Sequence, residues 1–239
     1  MQKSENLIYF DGESELEGLV CYPERSDVRK LPLVIISHPW LGIDDFVQAL
    51  AQKIASLGYV AFAIDIYGKG IRGKEHSDGH RLKQPFLDNP ELLLRRLRLG
   101  YEKAVSLDRV DTGKVSAIGH CFGGLCVLEM AKLETNLSSI ISVHGVISEA
   151  KMSPTDYNCE KAFVINGAAD PLVKPGALEE LQEHLTRCNV DWTVINFGRG
   201  GHAFTNPKAD GSVPGIKYDP DLDARTWAFV VESLRETLD

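Results

Sequence analysis

Along this chain, short unbroken apolar runs alternate with stretches in which apolar residues recur every three or four positions. The first pattern suits strands buried on both faces of a parallel sheet, and the second suits helices laid against one. Runs of the first kind are Leu33 to Ser37, Val60 to Ile64, Val115 to Gly119, Ser139 to Val143, Lys161 to Asn166 and Asp191 to Phe197. Between the first two, Phe46, Leu50, Ile54 and Leu57 keep helical spacing, with Asp44 or Asp45 as N-cap and Gly58 as the stop. Further helices are predicted over Pro90 to Leu107, after Cys121, near Pro175 to Arg187 and over about Leu222 to Leu238. Leu7 to Phe10 and Leu16 to Tyr22 read as an initial antiparallel pair. Residues 68–90 are polar and glycine-rich, and read as a cap-like excursion over the site. The alternation predicts one α/β domain over residues 1–239, with a mostly parallel central sheet and helices on both faces.

Composition narrows the partners. With 26 basic against 34 acidic residues the formal charge is -8, which disfavours attraction to nucleic acid or an anionic membrane. No apolar run approaches the ~20 residues of a membrane span, and Met1 to Asn6 lacks a signal-peptide core, so a cytoplasmic setting is expected. The five cysteines are odd in number and without CxxC spacing, which indicates neither a disulfide framework nor a structural zinc site. No metal and no cofactor is expected. Gly68 to Gly73 matches G-x-G-x-x-G, but the polar residues after it offer no apolar helical face to bring onto a pyrophosphate. A monomer or weak homodimer is expected.

The run Val115 to Gly124 reads as a buried strand turning sharply into an amphipathic helix, with Cys121 at the apex between Gly119 and Gly123. Such an elbow lifts its nucleophile clear of the sheet and onto a helix N-terminus, whose unpaired N–H groups favour a thiolate. A glycine-flanked cysteine is also small enough simply to pack. Elbows of this kind are followed by an acid and then a histidine, each just after a strand. Asp170 follows the run Lys161 to Asn166, and His202 follows Asp191 to Phe197. Asp170-Pro171 is also an ordinary turn dipeptide, and His202 in its glycine-rich loop also suits a solvated position. Of seven histidines, only His202 follows a late strand in the base's slot. The other six read as structural or supporting, with His38 and His144 the best placed to line the site.

Together the GHCFGG elbow, the GAADPLV loop and the GGHAF loop resemble the dienelactone hydrolases (carboxymethylenebutenolidases), cysteine-dependent members of the α/β-hydrolase superfamily. The GYV strand ending in Asp65-Ile66-Tyr67 adds to the likeness, which spans about residues 15 to 237. The resemblance implies the α/β-hydrolase fold, with Cys121 as nucleophile, His202 as general base and later acid, and Asp170 as its orienting partner. It implies an oxyanion hole from the N–H of Phe122 and of Trp40, with Leu41 as the alternative to Trp40. His38, His144, Phe204 and Asn206 are expected against substrate. Two positions depart from the family: Pro39 stands where a glutamate would contact the thiol, and Asn206 where an arginine would hold a substrate carboxylate. Arg72, Arg81, Arg95 and Arg96 are the candidates to replace that arginine.

A thiolate expels alkoxide more readily than amine, so the expected partner is a small ester or lactone, cleaved through a thioester. Two rivals remain from the sequence: a small-ligand-binding protein on the same fold, and a redox sensor built on a low-pKa Cys121.

Overall fold

The computed structural model describes residues 3–24, 30–147 and 155–239. In chain order the elements are β1 (Lys3–Asp11), β2 (Ser14–Tyr22), β3 (Leu31–Ser37), α1 (Asp45–Ser56), β4 (Val60–Ile64), α2 (His76–Asp88), α3 (Pro90–Val105) and β5 (Val110–His120). There follow α4 (Phe122–Met130), β6 (Leu137–Val143), β7 (Cys159–Gly167), α5 (Ala177–Arg187), β8 (Asp191–Phe197), β9 (Asp210–Val213), β10 (Ile216–Lys217) and α6 (Pro220–Leu238). Eight strands form one sheet in the order β1-β2-β4-β3-β5-β6-β7-β8, antiparallel through β1, β2 and β4 and parallel from β4 to β8.

Period-two alternation divides the parallel strands between two cores. Leu33 and Ile35 face one side with Val60, Phe62 and Ile64, whereas Val34 and Ile36 face the other with Ala61 and Ala63. The first core is closed by α3, α4 and α5, and the second by α1 and α6. Both faces are dry over β3, β4 and β6, which is why these strands read as continuous apolar runs, whereas the edge strand β8 is partly exposed along most of its length.

The chain goes from β3 outward to β4, then returns to the other side of β3 as β5. That reversal opens a crevice at the carboxyl ends of β3 and β5, where open α/β sheets bind ligands. The loops carrying Trp40 and Cys121 leave these two strands.

Four elements differ from the sequence reading. Residues 76–88 of the excursion are helical, and α2 buries Gly79, Leu82, Lys83, Phe86 and Leu87 on one stripe. Its apolar residues lie in the second half, beyond the polar stretch that hid them, and Pro85 sits inside the helix. The helix α4 is not amphipathic: every residue from Phe122 to Met130 is buried, as befits a helix enclosed by sheet and neighbouring helices. The small antiparallel pair β9 and β10 was not anticipated at all.

Candidate active site

The elbow is shaped by backbone contact before any chemistry enters. A Cβ on Gly119 would stand 2.0 Å from the Gly123 carbonyl oxygen, and one on Gly123 would stand 2.1 Å from that of Ser37. With both neighbours reduced to hydrogen, the chain turns with Cys121 at φ 56° and ψ -120°. That is a costly conformation for a side-chain-bearing residue, of order 1–3 kcal/mol, and it persists because packing over-determines it. Among the described residues four non-glycines have positive φ, and three of them, Cys121, His144 and Ala203, line one cavity of about 390 Å³.

Cys121, His202 and Asp170 meet at that cavity. The Cys121 Sγ lies 3.1 Å from His202 Nε2, and His202 Nδ1 lies 2.8 Å from Asp170 Oδ2. Asp170 Oδ1 accepts from the Leu172 N–H at 2.9 Å, so this side chain makes its own turn as well as meeting the imidazole. His202 is held from both sides by the hairpin: its N–H donates to Gly215 O at 2.7 Å, and its carbonyl accepts from Lys217 N–H at 3.1 Å. Sequence reasoning missed this support, although Pro214-Gly215 is a turn dipeptide between two short strands.

The electrostatics single out one imidazole of three. Burial would lower the pKa of His202, but the Cys121 charge and Asp170 outweigh it and raise the value to about 10. His120 and His144 lie in the same row of rings without a carboxylate. Burial, followed by the Lys53 charge, pushes His120 down to about 3. Burial and then the His202 charge hold His144 well below its ordinary value. A proton among the three therefore rests on His202, with its charge beside sulfur.

The loop after β3 is clamped from behind. The Pro39 carbonyl receives His38 Nδ1–H at 2.7 Å and the Gly42 N–H at 3.1 Å, and the Trp40 carbonyl receives the Tyr67 hydroxyl at 2.9 Å. In a trans peptide the following N–H points opposite to its carbonyl, so these bonds turn the N–H groups of Trp40 and Leu41 the other way. Pro39, Trp40 and Leu41 all line the cavity. Phe122, first residue of α4, has no acceptor for its N–H within the helix.

Of the other anticipated residues, His144 and Asn206 lie on the cavity wall. His144 Nε2 bonds the Thr205 hydroxyl at 2.8 Å, and Asn206 Oδ1 accepts from Lys208 N–H. His38 and Phe204 do not line it, which corrects the expectation for both. His38 is fully buried, its Nε2 accepting from the Ile66 N–H at 3.2 Å, and burial pushes its pKa to about 4. Phe204 is fully buried between His144 and Phe197. Nor do the four arginines reach the cavity. Arg95 and Arg96 pair with Asp11, Arg81 pairs with Asp78, and Arg72 bonds the Ile43 and Ile71 carbonyls. The cationic side chains on the wall are Lys74, Lys83 and Lys208.

No helix among the described residues is long and apolar enough to cross a membrane. The chain is 30% identical over 144 residues to an uncharacterized protein of Caenorhabditis elegans, covering 59% of this chain and 91% of that one. It is 25% identical to the carboxymethylenebutenolidase homolog of Rattus norvegicus, covering 86% and 83%. A dienelactone hydrolase-like promiscuous phosphotriesterase from metagenomic libraries superposes with a TM-score of 0.91 at 27% identity, over 100% of this chain and 99% of that one. The model of the dienelactone hydrolase family matches residues 16–238, and with the α/β-hydrolase sheet described above the chain belongs to that family of hydrolases.

Proposed function

We propose that this protein hydrolyses small carboxylic esters or lactones, with Cys121 as nucleophile, His202 as acid and base, and Asp170 as the group that orients the imidazole. The observation that carries the reading is the continuous contact from sulfur to carboxylate, 3.1 Å and then 2.8 Å, open to a cavity.

The thiolate attacks the substrate carbonyl, and the oxyanion is held by the N–H of Phe122 and that of Trp40 or Leu41. The imidazolium of His202 gives its proton to the departing alkoxide, leaving a thioester on Cys121 and a neutral imidazole. Sulfur now carries no charge, so the largest influence that raised the His202 pKa is gone. The freed imidazole takes a proton from water, hydroxide equivalent adds to the thioester, and the second tetrahedral intermediate expels thiolate. Acylation thus makes the base that deacylation requires. Each oxyanion donor is worth on the order of 3 kcal/mol.

The test is turnover of a p-nitrophenyl ester by wild type and Cys121→Ala. Activity is expected to vanish in the variant, and unchanged turnover removes the mechanism.

A further inference from the structure

Away from the cavity, the end of α5 gathers three donors that the hydrolytic chemistry does not use. His184 and Cys188 are four residues apart and share one face of the last turn. Their Nε2 and Sγ lie, with Oδ1 of Asp156, within 4.8 Å of one another, the one such cluster among the described residues. Asp156 Oδ1 is 3.4 Å from His184 Nε2 and 3.6 Å from Cys188 Sγ. The first is long for a charge-assisted N–H···O bond, which closes to about 2.7–2.9 Å. Both match ligands sharing one ion: tetrahedral bonds of about 2.1 Å to nitrogen and oxygen and ~2.3 Å to sulfur set N and O about 3.4 Å apart and S and O about 3.6 Å apart.

The surroundings order the donors. The backbone N–H of Tyr157 points at the Cys188 sulfur at 3.4 Å. The Tyr157 ring meets His184 edge-on at 4.8 Å and fixes its plane. The Asp156 side chain is 80% exposed, which leaves a fourth position open to water. Cys159 is not part of this cluster. The cluster precedes β7, whose far end leads to Asp170, so it lies at the opposite end of the sheet from the cavity.

We infer that Asp156, His184 and Cys188 form a three-ligand site for Zn²⁺, with water at the fourth position, that ties Asp156 to the end of α5. Binding transfers the Cys188 thiol proton to solvent, and His184 donates the lone pair of a neutral Nε2.

Titration of the full chain with Co²⁺ tests this. A thiolate-to-cobalt charge-transfer band is expected to saturate at one equivalent and to be displaced by Zn²⁺. It is expected to disappear in Cys188→Ser, to require at least about tenfold more metal in Asp156→Ala, and to persist in Cys121→Ala. Zn²⁺ is expected to raise the Tm of wild type and not that of Cys188→Ser. Absence of the band in wild type, its survival in Cys188→Ser, or its loss only in Cys121→Ala overturns the assignment. Asp156 is exposed enough that its variant keeps the test valid if Cys188→Ser folds poorly.

Discussion

The imidazole of His144 meets that of His202 edge-on at 5.1 Å, yet only His202 has a carboxylate against its second nitrogen. His144 turns its Nε2 to the Thr205 hydroxyl instead. Two rings in contact are thus driven to opposite protonation states, one by burial without compensation and the other by charge on both sides.

The consequence is a pH profile. The His202 pKa is raised from 6.5 to about 10, so the proton on its imidazole is fully present below pH 6.5 and is lost as pH rises through about 10. We expect kcat/KM, which reports the free enzyme, to fall on an alkaline limb near that value. The limb of kcat should lie at lower pH, because the acylated sulfur no longer holds the proton on His202. Stopped-flow rates on an activated ester across this range check both.

Asp170→Asn should lower kcat by about 10²–10⁴-fold while leaving the fold intact. The amide still accepts from the Leu172 N–H in the turn, but it cannot balance an imidazolium. The alkaline limb should move down in the same variant. A circular dichroism spectrum beside the kinetics separates chemistry from misfolding.

Gly123→Ala should destabilise the protein by roughly 3 kcal/mol or more, since the new methyl would meet the Ser37 carbonyl at 2.1 Å. Backbone on both sides of the contact is buried and has nowhere to go. Chemical denaturation of the purified variant measures the loss, and an unchanged midpoint would mean that the elbow is less tightly packed than described.

Tyr67→Phe keeps the ring that stacks on Phe122 and removes only the hydroxyl bonded to the Trp40 carbonyl. Loosening this loop should cost about 1–2 kcal/mol of transition-state stabilisation, or roughly 5–30-fold in kcat, with KM little changed. A change in KM alone would assign Tyr67 to substrate binding rather than to positioning.

Much of the fold is legible in the sequence because buried parallel strands leave unbroken apolar runs, and their loops locate Cys121, Asp170 and His202. What escapes has physical causes. The helix α2 hides its apolar stripe behind a polar first half and an internal Pro85. The turn and second strand of the β9–β10 hairpin hold His202 through backbone bonds at Gly215 and Lys217, which leave little side-chain pattern. His38 and Phe204 sit in loops at the right level of the sheet, but their directions depend on packing, and both turn inward. The Asp156, His184 and Cys188 cluster has no short ligand spacing such as CxxC; its third donor arrives only through the tertiary fold.

The central claim is covalent chemistry at one sulfur. Brief mixing with an activated ester, acid quenching and peptide mass spectrometry should find the acyl group on Cys121 during turnover, at a level that rises in slow-deacylating Asp170→Asn. Steady hydrolysis with Cys121 unmodified at every time, or an adduct on another residue, would contradict it.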